Sequence, residues 1–330
     1  MIHSSEQDFL FNQLNDDFDV NTTDASIGVE NNRATLSHNA LSNLEPTPAL
    51  SYGYFSQDLN TSRAELNPPS YTTAWQPPRN TTWQPSRNTT WQPSRNTNTN
   101  NFTIEVVFGQ GTSNFTPEMR AAVNEAADTW EDAILRSDFV GGHTLTIVVG
   151  GQNQGVQGFE AVAAPDLTPS TLLIDSDFNA LPTRGVSIVN TNPQKMQNFR
   201  ANTDYFTDLM THEFGHVMGI GTLWERNNLI DPITGDYRAN TEAGRVYNDR
   251  RIGQNADIPL TTGVGEGSDS LHWREEVFGN ELMTHRLETP GASHPMSELT
   301  LASLEDIGWT VDYTVADAFP DNSTRASTIG

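Results

Sequence analysis

The sequence predicts an α+β domain in which helices pack on one twisted, mostly parallel sheet. Residues 103–108 alternate between polar and apolar side chains and are rich in β-branched types, a pattern typical of a strand. Similar short runs at 145–149, 171–174 and 186–189 come after a helix, and a second long helix follows them. A strand, a helix, further strands and another helix in this order favour helices that pack on a single sheet.

The first helix is predicted from its N-terminal cap and from the spacing of its apolar residues. Thr116 suits the N-cap, Pro117 the first helical position, and Glu118 the first turn, where acidic side chains are favoured. The same signals predict a short helix near 241–248 and another that begins after Ser297. The apolar residues of the first helix recur at helical spacing, and they are Met119, Ala122, Val123, Ala126, Ala127, Trp130, Ala133 and Ile134.

Charge and cysteine content exclude several classes of partner and chemistry. The chain of 330 residues has 42 acidic and 18 basic residues, which gives a formal net charge of −24. A nucleic-acid partner is therefore not expected, because phosphate binding needs a basic face. The chain has no cysteine, so a metal must be held by His, Asp or Glu, and disulfides and cysteine nucleophiles are excluded. No apolar run approaches the roughly 20 residues of a transmembrane segment.

Residues 1–100 differ in composition from the rest of the chain. Hydrophobic residues make up 35% of the whole sequence, below the roughly 45–50% of globular domains, which indicates that part of the chain does not fold. This leader is rich in Asn, Ser, Thr, Asp and Gln, and a Trp-Gln-Pro unit of eight residues repeats from Trp75, Trp83 and Trp91. The unit is too short for a solenoid and is typical of a disordered linker, although its regular Trp and Arg side chains could also bind carbohydrate or a partner.

A helix that begins near residue 202 or 203 carries two histidines four positions apart. His212 and His216 lie on one face of this helix, so both imidazoles can reach one metal ion. Glu213 projects beside the metal, where it can take a proton from a water molecule that zinc activates. A helical projection places the histidines at the edge of the buried face and Gly215 opposite the core. The alternative interpretation is an ordinary helix with two surface histidines, and the apolar surroundings disfavour it.

A catalytic zinc site needs a third protein ligand and one open position. Gly219 lets the chain turn sharply after the helix, but the position where a compact three-histidine motif ends is occupied by Thr222, a poor ligand. Either the third ligand lies elsewhere or the site is inactive, and the best candidate for a third ligand is His272, with His285 as its rival. A glutamate is the remaining option, and the candidates are Glu242, Glu266, Glu275 and Glu276. The other histidines are interpreted as structural, solvent-facing or incidental, namely His3, His38, His143 and His294.

Around these histidines the sequence resembles the leishmanolysin family of metzincin peptidases. The resemblance runs through residues 212–224, 272–274 and 280–284, and it continues through 301–309. Members of that family have an insertion between the glycine after the helix and the third histidine. A methionine-containing turn beneath the metal then follows. The resemblance covers roughly residues 101–318, with specific motifs only in the later half.

The resemblance implies a metzincin-like zincin fold and a zinc-dependent endopeptidase that acts on protein or peptide substrates. His212, His216 and His272 would be the ligands of one catalytic Zn²⁺ ion, Glu213 the general base, and Met283 the methionine of the turn. One alternative is a non-catalytic binding or adhesion module with a vestigial or structural metal site. Another is hydrolysis of a non-peptide amide by the same zinc chemistry.

The domain boundaries follow from composition and from the resemblance. We expect the leader at 1–100, an N-terminal zincin subdomain with the active-site helix at 101–224, and a flexible tail at 319–330. Between them, a loop-rich C-terminal subdomain at 225–318 would carry the third ligand and the methionine turn. An edge strand would bind an extended peptide by strand addition, and residues 186–189 are the candidate.

Some features depart from the family or leave options open. Without cysteine, the cysteine-dependent latency of eukaryotic members cannot operate, so the chain is more similar to bacterial members. The family suggests an extracellular or cell-surface role, but the first residues have neither the basic nor the apolar region of a cleavable signal peptide. The acidic residues between Asp231 and Asp236 could hold calcium, although an ordinary acidic turn is the favoured interpretation. The sequence predicts no oligomeric state.

Overall fold

The described part of the chain comprises residues 102–136, 142–174, 180–249, 255–265 and 268–318 of a computed structural model. The leader with its Trp-Gln-Pro units and the predicted tail lie outside these residues. In chain order the helices and strands are β1 (Phe102–Phe108), α1 (Pro117–Ala133), β2 (Ile134–Arg136), β3 (His143–Gln152), β4 (Ala161–Pro165), β5 (Leu172–Ile174), β6 (Ala180–Pro182), β7 (Arg184–Asn190), α2 (Pro193–Ala201), α3 (Thr203–Met218), α4 (Glu242–Asp249), α5 (Glu275–Phe278), α6 (Glu298–Glu305) and β8 (Thr310–Val311).

Four strands form the main sheet, in the order β1-β3-β7-β4. β1 runs parallel to β3, and β3 runs parallel to β7, whereas β4 pairs antiparallel with β7. The short strands pair apart from this sheet, β2 with β8 and β5 with β6. The predicted α+β class with a mostly parallel sheet is therefore confirmed.

The strands predicted at 171–174 and 186–189 are present, but two expectations about their places in the sheet are wrong. Residues 186–189 lie within β7, which has neighbours on both sides, so this segment is not an edge. All β7 residues except the first are buried, as expected for a strand inside a parallel sheet. The edge beyond β7 is β4, whose alanine-rich sequence has little strand propensity. Residues 172–174 form β5 in a separate two-stranded sheet and do not join the main one.

The two long helices α1 and α3 pack on each other and on the sheet. Every apolar residue predicted for the inner face of α1 is buried, and the Thr116 hydroxyl accepts a hydrogen bond from the backbone nitrogen of Met119 at 3.3 Å. The predicted cap and face are therefore confirmed. Trp130 of α1 donates from Nε1 to the carbonyl oxygen of Thr211 on α3 at 2.8 Å, which fixes α3 beside the candidate site. Within the described residues, no helix has the length and apolar character that crossing a membrane requires.

An aromatic cluster holds the loop-rich second half of the domain together. The rings of Trp224, Tyr237 and Trp273 lie 4.6–5.5 Å apart. Because Trp224 follows α3 and Trp273 follows His272, this cluster brings the chain after the motif helix close to the distant histidine. The predicted short helices are confirmed as α4 and α6, and Ser297 caps α6.

Candidate metal centre

The end of α3 is a sharp turn at a glycine, as the sequence predicts. Gly219 has a φ of 115° and ends the helix in the left-handed conformation. Its backbone nitrogen donates to the carbonyl oxygen of His216 at 3.2 Å. Thr222 does not join the histidines as a ligand would, and its hydroxyl donates to the same carbonyl at 2.8 Å. The last two turns of α3 are covered by the chain that follows, so His212, Glu213 and His216 are all buried.

The side chains of three histidines meet at one point beside this helix. Nε2 of His216 lies 3.1 Å from Nε2 of His212 and 3.0 Å from Nε2 of His272, and the third separation is 3.3 Å. All three residues are buried. In the part of the chain that the structure describes, they are the one group of three or more His, Cys, Asp or Glu residues that could hold a metal ion.

The other ring nitrogens of these histidines define their tautomers. A carbonyl oxygen can only accept a hydrogen bond, so each Nδ1 carries the proton and each neutral ring directs the lone pair of Nε2 towards the other two. None of the three Nε2 atoms can then donate to its neighbours, and a cation between them would satisfy all three lone pairs. The acceptors are the carbonyl oxygens of Leu282 for His212 at 2.7 Å, Ile220 for His216 at 2.9 Å and Ser268 for His272 at 3.0 Å.

Distances and protonation both fit a zinc ion. Nitrogen ligands about 2.0–2.1 Å from a tetrahedral zinc ion lie about 3.3–3.4 Å apart, close to the observed 3.0–3.3 Å. Burial lowers the pKa of His212 to about 3, with a further contribution from His216, and burial lowers the pKa of His216 to about 4. Burial and the two neighbouring imidazoles hold the pKa of His272 well below its usual range. All three rings are therefore neutral at pH 7, the form that binds metal.

Glu213 lies in the same cavity as the three histidines. Its side chain is buried, and this burial raises the pKa of Glu213 to about 8. A cation at the histidine group would favour the ionised form of this carboxyl group. Binding of a metal would therefore convert Glu213 from a protonated acid to a carboxylate that can accept a proton.

The histidines form the floor of an open cavity of about 500 Å³. Residues 161–164 of β4 line it, together with Tyr205 and Leu209 of α3. Residues 285–287, which follow the predicted methionine turn, form a further part of its wall. The floor of the cavity is polar and carries Glu213, whereas its walls include the backbone of an edge strand.

Gly221 places His272 in this cavity, and the sequence analysis missed it. The residue has a φ of 74°, and a Cβ atom added there would lie 2.2 Å from the carbonyl oxygen of Leu271. Only glycine therefore lets the chain before His272 approach the turn after α3. The sequence could not indicate this role of Gly221, because Leu271, which it contacts, is about fifty residues away in the chain.

Gly221→Ala is expected to weaken zinc binding, because the added methyl group must displace Leu271 and the neighbouring His272. Gly235→Ala is the matched control, since Gly235 also has a φ of 74° but nothing lies within 4 Å of an added Cβ. Both changes should cost about 1–2 kcal/mol through the left-handed backbone, whereas only Gly221→Ala should lower zinc affinity. Thermal unfolding and zinc competition with a chelator measure the two effects. Equal zinc affinity in both variants would contradict this role of Gly221.

Met283 lies beneath the motif helix and is fully buried. A Cβ atom added at Gly215 would lie 2.9 Å from its Sδ and 3.0 Å from the ring of Trp130. Gly215 therefore faces packed side chains, and the prediction that it lies opposite the core is wrong. The projection of one helix could not show that the segment around Met283 covers this face.

The turn that contains Met283 is held by a buried carboxyl group that the sequence analysis also missed. The Glu281 side chain is 0% exposed and accepts hydrogen bonds from the backbone nitrogens of Met283 at 2.6 Å and Ser297 at 3.2 Å. The hydroxyl groups of Ser297 and Thr300 also donate to it. Glu281 thus joins this turn to the start of α6. Its neighbour Leu282 supplies the carbonyl oxygen that orients His212.

The other candidate ligands do not join the three histidines. His285 lines the cavity wall but does not belong to the group. Glu242 forms an ion pair with Arg245, and burial together with Glu288 raises the pKa of Glu275 to about 7. Glu276 is exposed and Glu266 lies outside the described residues.

The acidic turn at 231–236 has protein partners for its carboxylates. Asp231 accepts hydrogen bonds from the backbone nitrogens of Ile233 and Thr234 and pairs with Arg238 at 3.2 Å. Asp236 pairs with Arg274 at 3.2 Å. These contacts are those of an ordinary acidic turn, the interpretation that the sequence favours.

No protein-family model matches the chain, and no curated protein matches it at a significant level.

Proposed function

We propose that this protein is a zinc-dependent endopeptidase with a metzincin-like fold, similar to the leishmanolysin family. The observation that carries the proposal is the convergence of three neutral imidazoles beside a buried glutamate in an open cavity. In this proposal His212, His216 and His272 hold the zinc ion, Glu213 is the general base, and Met283 supports the helix from below. The three-histidine set leaves the fourth position open, as a catalytic zinc site requires.

The chemistry divides between the metal and Glu213. Zinc bound to the histidines would act as a Lewis acid that polarises the scissile carbonyl and lowers the pKa of a water molecule to about 7. Glu213 in its ionised form takes the proton of the attacking water and later delivers it to the leaving amine. The buried surroundings of Glu213 keep its basicity high, because a carboxylate with little solvation binds a proton readily.

The edge strand favours a peptide over a small amide as the substrate. β4 lines the cavity along four residues and is the edge of the main sheet on that side. An extended peptide can pair with such an edge through its main chain, as in other cases of strand addition. This pairing would lay the scissile bond across the floor of the cavity, above the histidines.

The alternative of a non-catalytic binding module is disfavoured by Glu213. A structural metal site needs no unpaired carboxyl group, and burying one without a partner is unfavourable. A buried group with a strongly raised pKa in a cleft is more typical of a catalytic residue.

Casein digestion by the full chain tests the proposed function. The zinc-loaded protein should cleave casein, a chelator should stop the cleavage, and added zinc should restore it. A contaminating protease is excluded by purifying the Glu213→Gln variant in parallel, which should cleave casein far more slowly than the wild type. Absence of cleavage by protein that contains one zinc ion per chain would reject the proposal.

A further inference from the structure

Polar side chains join the first half of α3 to two segments that line or adjoin the cavity. On the side of β4, the Tyr205 hydroxyl donates to Glu160, the residue before the strand. Lys195 lies 3.6 Å from the same carboxylate. The second segment is the wall at residues 285–287. These residues follow the methionine turn, and their connection to α3 comes from His294.

His294 connects α3 to the end of this wall. Its side chain is only 1% exposed, and Nδ1 lies 2.8 Å from Oδ2 of Asp208, one helical turn before His212. Nε2 lies 2.9 Å from the backbone nitrogen of Glu288 and 3.2 Å from Oε2 of the same residue. Both of these atoms belong to Glu288, so Nε2 contacts this residue in either case. His294 is therefore structural, one of the two interpretations from the sequence, and it does not face solvent.

This connection joins two residues whose chain neighbours line the same cavity as the candidate metal centre. Asp208 is followed by Leu209 on α3, and Glu288 is preceded by Leu287 on the wall. Both leucines line the cavity. The ring of His294 thus links the two residues that adjoin these leucines. His294 is not a member of the group of three histidines.

We propose that His294 is a positioning residue that sets the width of the subsite between Leu209 and Leu287. This inference rests on the proposed peptidase function, because the subsite would hold a substrate side chain next to the scissile bond. With the imidazole in place, the wall at 285–288 is fixed and the subsite selects side chains by size. Without it, the wall moves away from α3 and the subsite accepts larger side chains.

His294→Ala tests this role through substrate selectivity. Two peptides that differ only in one residue next to the cleaved bond, alanine or phenylalanine, are compared by kcat and KM. The ratio of their kcat/KM values should shift towards phenylalanine by about 10-fold or more, the discrimination that a change of pocket size produces. The shift should arise mainly in KM, and the zinc content should equal that of the wild type.

Two further variants separate positioning from loss of stability. Asp208→Ala removes the same connection from the α3 side and keeps the His294 ring in place, so it should shift the ratio in the same direction. Thr289→Ala is the matched control, because Thr289 lies in the same segment and its side chain is exposed. An unchanged ratio in both His294→Ala and Asp208→Ala, relative to Thr289→Ala, would overturn the inference.

Hydrogen–deuterium exchange gives a readout that does not depend on activity. Amides of residues 284–291 should exchange faster in His294→Ala and Asp208→Ala than in Thr289→Ala. Equal exchange in the three variants would also overturn the inference. If the wild type cleaves neither peptide, the proposed function fails, and the exchange rates alone decide whether His294 holds the wall.

Discussion

Glu213→Gln is expected to lower kcat/KM for peptide hydrolysis by about 10²–10⁴-fold, the range that general acid–base catalysis contributes. The amide keeps the size of the carboxyl group but cannot accept the proton of the attacking water. Zinc content should stay equal to that of the wild type, because the three imidazoles are unchanged. Hydrolysis of a fluorogenic peptide and metal analysis by mass spectrometry measure the two quantities.

Glu276→Gln is the control for this experiment. Glu276 is exposed at the start of α5, close in sequence to the candidate third ligand, and it undergoes the same chemical change. Its variant should keep both activity and zinc. Undiminished hydrolysis by Glu213→Gln would show that another group is the base, and loss of zinc would show that Glu213 helps to hold the metal.

His272→Ala is expected to weaken zinc binding by more than about 100-fold. Removal of a residue that hydrogen-bonds to a metal ligand typically weakens metal binding by roughly 10–100-fold. Removal of the ligand itself should weaken binding by more than that. His285→Ala is the matched control, because His285 lines the same cavity but does not belong to the group of three. Zinc affinity measured by competition with a chelator should fall in His272→Ala and stay near the wild-type value in His285→Ala.

The opposite pattern would assign the third position to His285. Wild-type zinc affinity in both variants would exclude both residues as ligands. The third ligand would then be sought among the glutamates of the loop-rich half. Circular dichroism of each variant shows whether the fold is retained, so a loss of zinc can be separated from unfolding.

Features that depend on nearby residues could be predicted from the sequence. The Thr116 cap and the buried face of α1 involve contacts within one helix, and local rules describe them well. The same is true of the turn at Gly219 and of the spacing of His212 and His216, which one turn of α3 sets. These predictions needed no knowledge of what packs against the helix.

His272 could not be predicted by such rules, because 56 residues separate it from His216. The sequence made it the best candidate for the third ligand, with His285 as its rival, and the resemblance to a family with a long insertion supported that choice. The reason for its position lies in contacts between distant segments. Gly221 admits the backbone of Leu271, and the ring of Trp273 packs on that of Trp224.

The features that could not be predicted from the sequence depend on contacts between segments that are distant in the chain. β4 has the composition of a helix or loop, and pairing with β7 makes it a strand. Glu281 resembles an ordinary acidic loop residue, yet four donors from two segments surround its carboxylate. His294 becomes meaningful only when Asp208 and Glu288 meet beside it.

X-ray absorption at the zinc edge of the wild-type chain, loaded with one equivalent of zinc, tests the three-histidine site most directly. The account predicts a first shell of nitrogen and oxygen atoms at about 2.0–2.1 Å, with the outer-shell scattering of three imidazole rings. A spectrum that requires fewer than three imidazoles, or a chain that does not retain the zinc, would contradict it.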